Sequence, residues 1–345
     1  MIPSPSPSGR PVLALTQGDP AGIGPEILLK LFLEGPAPAW QPLLVAERAA
    51  LEALCPVLPG FPWDRLRFLP AAPLRADLRN LGEGEIPVVD PVGARRAISF
   101  GASGPADAAG AMAALDVGIE LVDSRVADAL VTAPVSKESI ARQHTPGFVG
   151  HTDYLAEVCG LERYGRDYLM AFLAPELQVA LLSVHVPLRQ ALEEMDGRSV
   201  GEALDCLQRH AGGRTALAGL NPHAGEGGLL GQEDGAILAP AVAAARERGI
   251  DVHGPESADS LFARARKGEF DWVLALYHDQ GLIAVKTAAF GLATNWTLGL
   301  PFLRTSVDHG TAFPLAGKGM ADAKPLAAVV ETTLKLIAGE LPRRR

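Results

Sequence analysis

Three histidines share one local setting. Each follows closely on a short apolar run and opens a loop: Val184-His185-Val-Pro, Asn221-Pro-His223-Ala-Gly and Tyr277-His278-Asp-Gln-Gly281. In open α/β sheets ligands bind beyond the carboxyl ends of the strands, so imidazoles delivered at three strand ends can converge. Imidazole suits zinc, cobalt, iron or nickel, and three protein ligands leave positions open for a substrate oxygen. One histidine so placed is ordinarily a hydrogen-bonded loop residue; three in equivalent places point to a divalent-metal centre.

Further polar groups stand in apolar or glycine-rich surroundings: Gly150-His151-Thr152-Asp153, Asp259-Ser-Leu-Phe262, Lys286 after Leu282-Ile-Ala-Val285, and the stretch from Asn295 through Arg304 to Asp308-His309-Gly310. Lys286 and Arg304 are suited to neutralising a phosphate or carboxylate, with His151, Thr152 and Asn295 adding directional hydrogen bonds. The competing reading of either cation alone is a solvated or salt-bridged side chain. Gly18-Asp-Pro-Ala-Gly-Ile-Gly-Pro-Glu26 lies between an apolar run and a helical segment. Glycines there let backbone approach a ligand, and Pro25 suits a first helical position whose free N–H groups can face an anion. A tight strand-to-helix turn explains the same residues without a ligand. The spacing is not G-x-G-x-x-G, so a Rossmann fingerprint is not supported. Nor does the chain contain the P-loop, H-E-x-x-H or G-x-S-x-G patterns.

These residues need a scaffold, and the chain repeats one theme that supplies it. Short apolar runs (Pro11–Thr16, Ala127–Thr132, Val179–Val184, Thr215–Leu220, Trp272–Tyr277) alternate with longer segments of helical spacing, among them Gly104–Val122, Ser199–His210 and Glu233–Arg248. Buried runs alternating with helices predict an α/β architecture with a largely parallel sheet. At 345 residues the chain has room for about two domains or one large α/β barrel.

With 31 Lys and Arg against 40 Asp and Glu, the net charge of -9 disfavours generic attraction to nucleic acid or anionic membrane. Any anionic substrate must therefore be held by a local basic pocket. Cys55, Cys159 and Cys206 are too scattered for a disulfide framework or a zinc knuckle and suit a reducing, cytoplasmic compartment. The alternating Pro and Ser of residues 1–10 reads as a disordered tail, unlike a signal peptide. No apolar run approaches the ~18 residues of a membrane span.

Together, Gly18–Glu26, Gly150-His-Thr-Asp153, Asn221-Pro-His-Ala-Gly-Glu226, Tyr277-His-Asp-Gln-Gly281 and Asn295–Thr311 resemble the PdxA family, the 4-hydroxythreonine-4-phosphate dehydrogenases of vitamin B6 biosynthesis. The resemblance implies an isocitrate/isopropylmalate dehydrogenase-like fold: two α/β domains with an interdomain cleft. The first domain would comprise 11–134 plus about 305–345, and the second, 135–304, would carry the metal ligands and the dimer contacts. It implies a homodimer whose active sites are shared between subunits, with NAD (or NADP) and a divalent metal (zinc, magnesium or cobalt) as cofactors.

Carried over position by position, His185, His223 and His278 match the metal ligands. His151, Thr152, Lys286, Asn295 and Arg304 match the positions that hold the phosphorylated substrate. Lys286 or Asp279 would serve as catalytic base, and Gly22, Gly24 and Asp259 would border the cofactor. Trp296 replaces the family's usual aliphatic residue beside Asn295 and is expected to bear on substrate identity. The implied reaction is oxidation of 4-phosphohydroxy-L-threonine to a 3-oxo acid that decarboxylates. A relative acting on threonate or erythronate 4-phosphate, or on a dicarboxylic diol, would look similar at this level. Two readings from other classes also stand: a metal-dependent hydrolase on an α/β barrel, and a non-catalytic protein binding a phosphorylated ligand.

Overall fold

The computed structural model describes residues 10–33, 39–70, 72 and 75–340. The tail expected over residues 1–10 thus lies, except for Arg10, outside the described residues. Two compact units are present: Leu155–Pro301, and a discontinuous one in which Ile2–Tyr154 is joined by Phe302–Ala338. The strands in chain order are β1 (Val12–Thr16), β2 (Gln41–Val45), β3 (Leu66–Leu69), β4 (Ile86–Val89), β5 (Ala129–Thr132), β6 (Leu169–Ala174), β7 (Leu177–Leu181), β8 (Thr215–Ala218), β9 (Val252–Glu256), β10 (Trp272–Ala275), β11 (Thr294–Leu298) and β12 (Leu303–Val307). The α/β class read from the alternating pattern holds.

In the discontinuous unit the strands run β3-β4-β2-β1-β5-β12, all parallel. Every residue of β1, β5 and β12 is buried, which is why these strands read as unbroken apolar runs rather than alternating ones. Register aligns Thr16 with Thr132, and Arg304 with Leu130, on one face. A β-carbon at Gly118 would meet Leu130 and Thr16 at 2.8 Å, so the helix Pro105–Asp123 covers that face closely. Thr305 projects oppositely and its hydroxyl bonds that of Thr333 at 2.7 Å, so the helix Lys324–Ile337 covers the other. The unit's first segment extends to Tyr154. The physical reason is local. The helix Lys137–Gln143 packs on Pro105–Asp123, the Ser103 and Ser139 hydroxyls bond at 2.8 Å, and the Tyr154 hydroxyl donates to Asp116 at 2.6 Å.

In the other unit the order is β11-β6-β7-β10-β8-β9. Strands β7, β10, β8 and β9 are parallel, whereas β6 runs antiparallel to both β7 and β11. Val179, Leu181, Val273 and Ala275 form its core with Leu282 and Val285 of the helix His278–Ala289. The helical pattern read across Glu233–Arg248 is interrupted by a π turn at Asp234–Leu238. It precedes Pro240, which has no N–H to return to the carbonyl four residues back. No described helix is long and apolar enough to cross a membrane. Cys55, Cys159 and Cys206 form no disulfide among the described residues, and burial pushes the Cys206 thiol up to about 12.

Candidate functional site

The three histidines stand where the sequence pattern placed them. His185 follows β7, His278 follows β10 and His223 follows β8, and these are three adjacent parallel strands, so all three imidazoles leave the same edge of the sheet. His185 and His278 come together with ring centroids 5.7 Å apart. His278 opens its helix, and its Nδ1 donates to Asp279 Oδ1 at 2.8 Å, which orients the ring and leaves Nε2 to bind a metal. Two imidazoles so held make up part of the three-ligand set that a catalytic divalent cation uses.

His223 does not join the pair within one chain: no group of three or more His, Cys, Asp or Glu able to hold a metal occurs among the described residues. The exposed His223 sits in a strained loop. His223, Ala224 and Glu226 all have positive φ (53°, 51° and 44°), a conformation costing non-glycine residues about 1–2 kcal/mol each. Asp234, 1% exposed, holds the loop's base by accepting from the Leu220 and Asn221 N–H groups at 2.8 and 3.0 Å and from Asn221 Nδ2 at 2.8 Å.

Lys286 lies on the same helix as His278 and Asp279, seven residues past the carboxylate and so close to its helical face. Asn295, on β11, is half-buried and its Oδ1 has no partner among the described residues, an orphaned acceptor that a ligand's donor would satisfy. Trp296 departs from expectation. Successive strand residues face opposite ways, and its indole is 4% exposed and packs near Trp272, with ring centroids 6.4 Å apart. It is a core residue turned away from Asn295. Asp259 is exposed in the first turn of the helix Ala258–Arg266, where it accepts from the Ser257 hydroxyl at 2.7 Å.

The discontinuous unit gathers the other predicted anion-binding residues. Arg304 is only 1% exposed on β12, and one of its guanidinium nitrogens donates to Thr132 Oγ1 at 2.6 Å. Burial draws this guanidinium down to about 9, still cationic at neutral pH. His151 and the buried Thr152 begin the helix His151–Val158. Burial first, then the nearby Arg304 and Lys137 charges, hold His151 well below the ordinary 6.5, so it is neutral at physiological pH.

The Gly18–Glu26 segment is built as a tight turn between β1 and the helix Gly24–Lys30. Gly18 has φ +66° and its Cβ position lies 2.2 Å from the Pro134 carbonyl oxygen, so no side chain fits. A β-carbon on Gly24 would fall 1.8 Å from the Gln17 carbonyl oxygen, and one on Gly22 would fall 3.2 Å from Thr311. These glycines are required by packing of the turn itself. Asp19 is fully buried within it, its Oδ1 accepting from the Ala21 N–H at 2.9 Å. Burial raises its pKa against the opposing hydrogen bonds from Ser103 and Ala21.

Sequence reading assigned no role to three positions that organise these surroundings. Asp234 gave no local signal. Glu26 and Lys30 did, being four apart on a helix. Glu26 pairs with Lys30 at 2.9 Å and accepts from the N–H groups of Gly319 and Ala321 at 3.2 and 2.8 Å, while Lys30 donates to the carbonyls of the same two residues at 2.8 and 2.7 Å. One ion pair thus grips both edges of a distant loop.

Comparison with known proteins adds a consistent picture. The model for the family described as "Pyridoxal phosphate biosynthetic protein PdxA" matches residues 39–333. A 4-hydroxythreonine-4-phosphate dehydrogenase from Chromobacterium violaceum is 39% identical over 97% of this chain and 99% of its own length. One from Neisseria meningitidis serogroup A is 39% identical over 96% and 99%. Among solved structures, the 4-hydroxythreonine-4-phosphate dehydrogenase of Klebsiella pneumoniae is similar with a TM-score of 0.82 at 32% identity, covering 96% of this chain and 99% of that one. A terephthalate 1,2-cis-dihydrodiol dehydrogenase from Burkholderia xenovorans is similar with a TM-score of 0.61 at 27% identity, covering 96% and 99%.

Proposed function

The chain belongs to the PdxA family of pyridoxal phosphate biosynthetic proteins, and on that premise we propose that it is a dehydrogenase oxidising 4-phosphohydroxy-L-threonine to the 3-oxo acid. The oxo acid then loses carbon dioxide to give 3-amino-2-oxopropyl phosphate. The observation that carries the reading is the set of histidines at the ends of β7, β10 and β8, in a chain 39% identical to a dehydrogenase named for that substrate. The 27% identity to a dihydrodiol dehydrogenase favours one rival, a family member oxidising another phosphorylated or dicarboxylic hydroxy acid such as threonate or erythronate 4-phosphate.

When bound, a divalent metal (zinc, magnesium or cobalt) supplies Lewis-acid activation of the substrate oxygen, and NAD or NADP supplies the hydride acceptor. His185, His278 and His223 would hold the metal, with ligands drawn from both copies of a homodimer, a reading supported by the separation of His223 from the other two within one chain. Asp279 keeps the proton on Nδ1 of His278 and so presents Nε2. Arg304 provides positive charge for the phosphorylated end of the substrate, while neutral His151, Thr152 and Asn295 give it direction. Asp279 is already committed to His278, which leaves Lys286 to bind the substrate and move the hydroxyl proton. Gly22, Gly24 and Asp259 are proposed as the cofactor-bordering positions on family grounds.

Steady-state formation of the reduced nicotinamide, with 4-phosphohydroxy-L-threonine compared against threonate and erythronate 4-phosphates, tests the substrate. His223→Ala should lose bound metal and turnover together. Full activity after chelation and in that variant would sink the metal assignment.

A further inference from the structure

We propose that Lys137 is a further substrate-binding residue, an exposed second cation that completes a phosphate site with Arg304, His151 and Thr152. The inference rests on the reading of this region as the phosphate end of the site.

Lys137 is the first residue of the helix Lys137–Gln143, whose Ser136 cap accepts from the Ser139 N–H at 3.2 Å. The chain reaches it directly from the carboxyl end of β5, where Thr132 receives the hydrogen bond from Arg304. From there its side chain lies across the backbone of Gly150, the residue before His151. A β-carbon built on Gly150 would lie 3.0 Å from Lys137 Cε and 3.2 Å from Nζ. Gly150 is therefore open on the side that the ammonium occupies. The arrangement leaves Lys137 unengaged: it forms no ion pair and no hydrogen bond with the described residues, and it keeps solvent exposure.

Charge balance gives this placement its meaning. A phosphate monoester carries about −1.5 to −2 at neutral pH. Arg304 contributes one positive charge and His151, held neutral, contributes none. Within this unit, Lys137 is the cation that stands against His151 alongside Arg304, and it brings the local charge to that of the dianion. The two cations divide the work by burial. Arg304 is fixed and desolvated, whereas Lys137 is a solvated point charge on a flexible stem that can close on the phosphate after it enters.

The test uses inorganic phosphate as probe, titrated calorimetrically into the purified full-length protein, together with KM and kcat for 4-phosphohydroxy-L-threonine. Lys137→Met should weaken phosphate binding and raise KM by about ten- to a hundredfold, the scale of one lost charge-assisted hydrogen bond. It should leave kcat within about threefold, and Lys137→Arg should restore most of the loss. Arg304→Met serves as the control. If Arg304→Met abolishes phosphate binding while Lys137→Met binds as wild type does, the proposal for Lys137 is overturned and the phosphate site stands. If neither variant alters phosphate binding or KM, the phosphate site itself is misassigned and the proposal falls with it.

Discussion

The Glu26–Lys30 pair offers the sharpest test of how this fold holds its loops. Glu26 has no exposed side-chain surface and Lys30 only 17%, so their attraction is little screened, and four backbone groups of Gly319 and Ala321 depend on them. Glu26→Gln keeps the volume but turns one acceptor oxygen into a donor facing an N–H. Leaving that N–H unsatisfied costs about 1–3 kcal/mol. Lys30 also loses its counter-charge, although the two carbonyls still hold it, so the expected total is about 2–4 kcal/mol, just under the cost of breaking a fully buried pair. Lys30→Met should cost a similar amount by stripping both carbonyls of their donor. Because the two residues act on the same loop, the double variant should be less destabilised than the sum of the singles by at least about 1 kcal/mol. Urea unfolding midpoints of the four proteins close the cycle, and amide exchange at Gly319 and Ala321 localises the effect. A shift below about 0.5 kcal/mol for Glu26→Gln, the range of ordinary surface changes, with unchanged exchange at both amides, would refute the clamp.

Two further outcomes follow from the same geometry. Asp279→Asn should weaken divalent-metal affinity by about 10–100-fold, because the His278 ring loses the carboxylate that fixes its tautomer; equilibrium dialysis against zinc or cobalt reads this, and wild-type affinity would remove Asp279 from that role. His151 is held below its unfolded value of 6.5, so the unfolded chain binds the extra proton and stability falls as pH drops beneath 6.5. The slope from this group approaches about 1.4 kcal/mol per pH unit, until the folded-state pKa is reached. His151→Gln should flatten that limb of the stability profile while leaving stability above pH 7 nearly unchanged. An unaltered slope in the variant would show that His151 titrates normally.

Most of the architecture was legible from local pattern. The runs Pro11–Thr16, Ala127–Thr132 and Trp272–Tyr277 hold strands within a residue or two of their ends, because parallel strands covered on both faces must be apolar throughout. The π turn before Pro240 and the short Leu177–Leu181 strand departed from the pattern, where proline chemistry and the β6–β7 hairpin overrode it.

For the site, sequence alone determined which chemistry is at hand: three histidines at strand ends, a lysine and an arginine in apolar flanks, and glycines at the first turn. Residue type and spacing carry that information, since a strand end and a helix start are local events. Tertiary structure decided what each of those groups can do. Strand order made β7, β10 and β8 neighbours and so put the histidines on one edge, paired His185 with His278 and left His223 apart. Strand parity turned Trp296 into the core and away from Asn295. Long-range packing buried Arg304, held His151 neutral, laid Lys137 over Gly150 and locked Glu26 and Lys30 to a loop nearly three hundred residues away. Those outcomes depend on burial and on partners brought together from distant parts of the chain, quantities that no local spacing encodes.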